Sequence, residues 1–274
     1  MTYQAETRSM ALFCDFENIA LGVRDANYAE FEVGQVIERL LLKGNIVVKK
    51  AYCDWERYKE YKKSMHEASF ELIEIPHVRQ SGKNSADIRM VVDALDLCYT
   101  KGHVDTFVII SGDSDFSPLV SKLRENNKIV IGVGVKNSTS DLLIANCDEF
   151  IYYDDLVRRP APAPKTGRGV GSKRKPGRGT GVKSPAPPAD KKQEAWDLVL
   201  QTYEALLEER GAGEKIWGSM IKQTLKRRKP GFSESYYGFK SFGQLLEEAE
   251  ARGILQLERD EKSGGFILRG GRTG

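Results

Sequence analysis

Four aspartates in this 274-residue chain stand where they could do chemistry together. Asp15 closes the apolar run MALFCDF, and Asn18 follows one turn later in DFEN. Asp113 and Asp115 come directly after VIIS, in SGDSDF, and Asp87 opens a helical pattern in GKNSADIRMVVDA. Carboxylates gathered in a partly buried place repel one another. Hard divalent cations remove that penalty, and Mg²⁺ or Mn²⁺ prefers oxygen ligands of this kind. Such a site suits hydrolysis of a phosphodiester: the ion polarises a phosphate oxygen, activates a water and stabilises the leaving oxygen. Ser111 and Asn18 are placed to orient water or a carboxylate behind the acids. An Asp after a strand is commonly a helix N-cap, and Asp115 before Phe116-Ser117-Pro118 could be only that. Acids at three separate strand ends, two of them in SGDSDF, favour a shared site instead. Asp93 has two readings, a support for the site or merely the partner of Arg89 four residues earlier.

Those acids need a scaffold that brings strand ends together. MALFCDF, NIVVKKAYCD, ELIEIP, DTFVIISGDSD and KIVIGVGV are apolar runs of strand length. Between them lie a turn and helical pattern over residues 31–42, helices over 58–69 and 86–101, and SPLVSKLRENN. Residues 86–101 place Ile88, Val91, Val92, Leu95, Cys98 and Tyr99 on one apolar face. Strands alternating with helices predict an open, doubly wound α/β domain with a mostly parallel sheet. In such sheets ligands sit outside the carboxyl ends of the strands, where the acids fall.

Residues 158–188 interrupt this pattern with seven of the ten prolines, six glycines and nine Lys or Arg, and no Asp or Glu. Such a stretch cannot bury enough surface to offset its ordering entropy, so it reads as a disordered basic linker. Taking its nine charges from the net +3 leaves the rest of the chain at −6, which points the linker toward a polyanion. The expected organisation is a domain over 1–157, the linker over 158–190 and a second domain over 191–270. In the last, Trp196, Val199, Leu200, Tyr203, Leu206 and Leu207 mark a helix ended by Gly211, and Trp217 to Arg228 a second. Ser241 and Gln244 form a capping box that opens a third. ILQLER and GGFILR around Ser263-Gly264-Gly265 form a hairpin, giving a small winged-helix-like α+β unit.

Four dispersed cysteines (Cys14, Cys53, Cys98 and Cys147) lack zinc-ligand spacing and read as reduced core residues. No apolar run reaches the roughly 18 residues of a membrane span, and the N-terminus carries no secretory signal pattern, so the expectation is a cytoplasmic protein with no membrane partner. His66, His77 and His103 are scattered, and no phosphate-binding glycine fingerprint is present. A phosphatase of the haloacid dehalogenase type also places an Asp after its first strand, but its second Asp is here Glu17.

DFENI after a strand, then K-x-x-x-D with another Asp six residues on, then SGDSDF-x-P-L, resembles the NYN family of PIN-like nucleases over residues 10–155. The resemblance implies RNA cleavage with Mg²⁺ or Mn²⁺, with Asp15, Asp87, Asp113 and Asp115 as metal-binding catalytic acids and Asn18 and Asp93 in support. It also implies pairing into a homodimer, because PIN-like domains often pair. The segment SESYYGFKSFGQLLEEAEARGILQLE resembles the LOTUS (OST-HTH) domain, associated with RNA in some proteins and with protein partners in others. Lys222, Lys226, Arg227 and Arg228 would give it a basic face for phosphates; a solvated helix face is the plainer reading. His77, near Arg79 and Lys83, could also touch RNA phosphate, a solvent-facing loop histidine being the plainer reading. The expected function is a metal-dependent endoribonuclease whose RNA is retained by the linker and C-terminal domain. The alternative is an inactive RNA-binding or scaffold protein.

Overall fold

The computed structural model describes residues 8–75, 85–157, 189–210, 215–260 and 264–271. The basic linker 158–188, the His77–Arg79–Lys83 segment, Gly211 and Ser263 lie outside them. The N-terminal part runs β1 (Arg8–Asp15), α1 (Phe16–Asp25), α2 (Val33–Leu41), β2 (Gly44–Cys53), α3 (Lys62–Glu67), β3 (Glu71–Glu74), α4 (Ser85–Thr100), β4 (Thr106–Ile110), α5 (Ser117–Glu125), β5 (Ile129–Gly134), α6 (Asp141–Asn146), β6 (Glu149–Tyr152) and α7 (Tyr153–Val157). Its six strands lie in the order β3-β2-β1-β4-β5-β6, with every neighbouring pair parallel.

Strand β1 shows why this sheet forms. From Met10 onward it is buried without interruption, as a strand covered on both faces requires. Leu12 and Cys14 enter one core layer with Ile19, Val36 and Tyr153; Ala11 and Phe13 enter the other with Met90, Leu119 and Val120. The chain therefore winds helices onto both sides of the sheet. It builds outward from β1 to β3, then returns to lay β4, β5 and β6 on the other side of β1. That reversal opens a crevice between the carboxyl ends of β1 and β4, the usual ligand position in such folds.

The structure corrects the sequence reading in three places. DFEN does not lead into a turn: Asp15 caps α1 directly, and Phe16, Ile19, Ala20 and Val23 bury its inner face. Helix α4 turns its Met90–Ala94–Cys98 line into the core, while Ile88, Val92 and Tyr99 are exposed. The apolar arc is wider than the buried one, because the sheet contacts only a narrow strip of the helix. The helix expected over 58–69 is a 3-10 turn (Lys59–Tyr61) followed by the short α3.

The C-terminal part comprises α8 (Ala189–Arg210), β7 (Ile216–Trp217), α9 (Gly218–Arg228), α10 (Phe242–Ala251), β8 (Leu255–Arg259) and β9 (Phe266–Gly271). Its antiparallel sheet has the order β7-β9-β8. Trp196, Val199 and Tyr203 of α8 share a core with Ile221, Leu225, Leu245 and Leu246. The Trp196 indole N–H is satisfied by the Leu245 carbonyl at 3.3 Å. Ser241 caps α10 by accepting the Gln244 N–H at 3.2 Å, and Gly253 ends the turn after it at φ +70°. This is the small α+β unit that the sequence predicts.

Candidate active site

The crevice between β1 and β4 is built from two strand ends stitched together by hydrogen bonds. Asp15 is only 7% exposed. It accepts the Ser111 hydroxyl at 3.0 Å and the Asn18 backbone N–H at 3.3 Å. Asn18 in turn accepts the Gly112 N–H at 2.8 Å, locking the first turn of α1 to the loop after β4. Ser111, fully buried, also accepts the Asp113 N–H at 3.2 Å. Asp113 then caps the short 3-10 turn Ser114–Phe116 by accepting the Asp115 N–H at 2.9 Å. The N-cap role expected of Asp115 is not found there: Asp115 donates its N–H to Asp113, and the side-chain caps are Asp15 and Asp113, which keep acceptor capacity beyond that role.

Asp87, half-buried in the first turn of α4, completes the cluster from a third element. Burial and the charges of Asp113, Asp115 and Glu17 push its carboxyl up to about 6. Burial, then the charges of Asp87 and Asp113, pushes Asp15 up to about 7, against the hydrogen bonds from Ser111 and Asn18. The two groups feel their neighbours because the strand ends bring them together. Asp115 is exposed and lines an open groove of about 470 Å³ with Ser114, Ser117, Pro118, Ser121 and Leu142. Among the described residues no group of three His, Cys, Asp or Glu side chains is arranged to hold a metal ion unaided.

Asp93 sits apart from this arrangement. It accepts the Tyr52 hydroxyl at 2.9 Å and pairs with Arg89 at 3.1 Å and Lys50 at 3.4 Å. Its carboxylate neutralises buried polar surface beside β2. The i,i+4 pair with Arg89 is present, but the carboxylate is largely buried rather than exposed.

Two residues of the site are not read as part of it from the sequence, where Glu17 is weighed only against the phosphatase pattern. Glu17 adds negative charge at Asp87 and pairs with Arg57 at 3.3 Å. Its signal was the acid inside DFEN. Gly112 carries the N–H that Asn18 accepts, and a Cβ there would lie 2.5 Å from the Ser138 carbonyl oxygen. Ser140 N–H donates back to Gly112 O at 2.9 Å, so the loop after β5 buttresses the acid loop. Of the basic residues expected on α9, Lys222 pairs with Glu234 at 2.8 Å and Lys226 with Glu149 of β6 at 3.6 Å. Arg227 and Arg228 are exposed, and Lys83 lies outside the described residues.

The model of the NYN domain matches residues 9–154, just over half of the chain. The chain belongs to the NYN domain family. That family is generally one of nucleases on a PIN-like fold, and the matched NYN domain contains all four aspartates and Asn18. A crystal structure of a Vibrio parahaemolyticus protein of unknown function is similar to the chain at 26% identity and a TM-score of 0.50. That likeness covers 57% of this chain and 98% of the other. Curated proteins give no match. No helix among the described residues is long and apolar enough to cross a membrane.

Proposed function

We propose that the NYN domain is a metal-dependent endoribonuclease whose active site is the acid cluster at the β1/β4 crevice. The observation that carries this reading is the convergence of Asp15, Asp87 and Asp113 from three elements, where the charges of Asp87 and Asp113 add to burial in raising the proton affinity of Asp15, and that of Asp113 in raising Asp87. Uncompensated, that arrangement costs stability; a hard divalent cation turns it into an advantage.

The donor set fits such an ion. Mg²⁺ keeps several waters and is usually gripped by one or two carboxylates together with substrate phosphate oxygens. A site without three preassembled protein ligands meets that requirement once RNA supplies the rest. Asp15, Asp87, Asp113 and Asp115 are the carboxylates from which one or two would grip the ion, Mg²⁺ or Mn²⁺, directly, the others acting through its waters; the ion would supply Lewis-acid polarisation of the phosphate. Ser111 fixes the Asp15 carboxylate by donating to Oδ2, and Asn18 fixes the loop that carries Asp113. Asp115, exposed at the groove, faces arriving substrate. The C-terminal unit and the basic linker retain the RNA, with Arg227 and Arg228 as phosphate contacts.

An end-labelled RNA incubated with Mn²⁺, with Mg²⁺ and with EDTA tests the reading. Products in either metal that vanish in EDTA and in Asp113→Asn are expected. RNA that is bound but stays whole in both metals would instead make the chain an RNA-binding protein with a disused site.

A further inference from the structure

The two folded parts are docked against each other. The edge strand β6 donates its Phe150 N–H to the Pro230 carbonyl at 3.1 Å, so a loop of the C-terminal part caps one sheet edge. Ser233 donates to Asp155 at 2.7 Å, and Lys226 reaches Glu149, which Lys43 also holds at 2.8 Å. Packing at this seam is close: a Cβ on Gly231 would lie 2.6 Å from the Tyr152 hydroxyl.

Beside the seam lies a cleft of about 460 Å³ whose walls come from both parts. Lys136 and Tyr152 line it from the NYN domain, and Arg228, Lys229 and Tyr236 from the C-terminal part. The ammonium groups of Lys136 and Lys191 lie over the Tyr236 ring. Arg228 and Lys229 are exposed and make no ion pair among the described residues, unlike Lys222 and Lys226 on the same helix. Two acids, Asp141 and Glu194, also line the cleft, and Glu194 accepts the Tyr237 hydroxyl at 3.3 Å. Three lining cations, Lys136, Arg228 and Lys229, stand against these two acids, and Lys191 adds a further positive charge on the Tyr236 ring, which leaves the cleft positive.

Its position ties it to the acids. Helix α6 forms the ridge between this cleft and the groove beside Asp115: Leu142 lines the groove, while Asp141, Ile144 and Ala145 line the cleft. Lys136 opens the loop whose Ser140 N–H holds Gly112 next to the acids.

We infer that this interdomain cleft is a binding site for single-stranded RNA, which crosses α6 between it and the acid cluster. A positive groove that tracks a flexible phosphate backbone suits a single strand, and a rigid duplex could not bend over the ridge into a cleft this small. The inference rests on the nuclease reading only for where the strand leads.

The test is fluorescence anisotropy of a labelled oligouridylate with the full chain in EDTA, over a salt titration. Arg228→Ala combined with Lys229→Ala removes two exposed cations without touching either core. Lys101→Ala with Lys122→Ala, near the ends of α4 and α5 remote from the acids, is the control. The first pair is expected to weaken binding about tenfold or more. It should also flatten the log–log salt slope by about 1.4, the loss of two phosphate contacts at roughly 0.7 each. The control should match the parent. An unchanged affinity and slope in the first pair would overturn the inference. So would a polyglutamate peptide that binds as tightly as the RNA and is lost in the same variant, because the cleft would then serve acidic protein. Binding in EDTA needs no cleavage, so the two readings fail separately. Uncut RNA in Mg²⁺ with this pattern intact would remove the nuclease and leave the cleft.

Discussion

Replacing Asp15 by Asn should change how the stability of the metal-free protein depends on pH, because Asp15 is a buried carboxyl forced to ionise among other acids. Its folded pKa is about 7, against an ordinary value of 3.8. Between those two pH values the folded chain holds a proton that the unfolded chain has released. Stability therefore falls as pH rises from about 4 to about 7 and levels off above that. Asn does not titrate. Moving from pH 5 to pH 8 covers about two units below the folded pKa, each worth about 1.4 kcal/mol, so the stability of Asp15→Asn relative to the parent should grow by about 3 kcal/mol. Asn also cannot accept from both Ser111 and Asn18, which costs about 1 kcal/mol at every pH and leaves the slope alone. Urea unfolding followed by circular dichroism in EDTA, at several pH values from 5 to 8, reads the difference directly. Adding Mg²⁺ at pH 8 should then stabilise the parent and not the variant. Parallel stability profiles for the two proteins would refute the electrostatic account of the site.

Three further substitutions separate the roles of neighbouring residues. Asp87→Asn, half-buried at a helix start, should leave the fold intact while metal-dependent cleavage falls about a hundredfold or more, read as single-turnover product formation. Asp93→Asn should do the reverse: Lys50, Arg89 and Tyr52 lose a charged partner, so stability drops by about 1–3 kcal/mol in urea while cleavage per folded molecule holds. Gly112→Ala drives a Cβ against the Ser138 backbone, which should displace the acid loop and lower both stability, by about 1–3 kcal/mol, and cleavage.

Much of this site can be read from the chain because its parts are local. An Asp directly after an apolar strand run sits at that strand's carboxyl end, and a parallel sheet collects such ends on one edge; Asp15 and Asp113 needed no more than that. The helix that Asp15 caps was also marked, by Phe16, Ile19, Ala20 and Val23 at helical spacing, yet the polar FEN reads as a turn when taken alone. The exposure of Ile88, Val92 and Tyr99 could not be read, because periodicity fixes an apolar arc and not how much of it the sheet covers. The partners of Asp93 come from β2, some forty residues away, and only the tertiary fold could choose between its two readings. The same holds for Lys226, which looked like a phosphate contact and pairs with Glu149 across the seam. The cap of Pro230 on β6 also joins residues that nothing local connects.

On the proposed reading, the acids at the β1/β4 crevice cut RNA internally with the help of a divalent ion. A circular single-stranded RNA tests it most directly, since only an internal cut can open a circle. The parent should linearise it in Mg²⁺ or Mn²⁺, and neither the parent in EDTA nor Asp15→Asn in metal should do so. Circles that stay closed while bound to the parent in both metals, or that open equally in EDTA or with Asp15→Asn, would contradict the account.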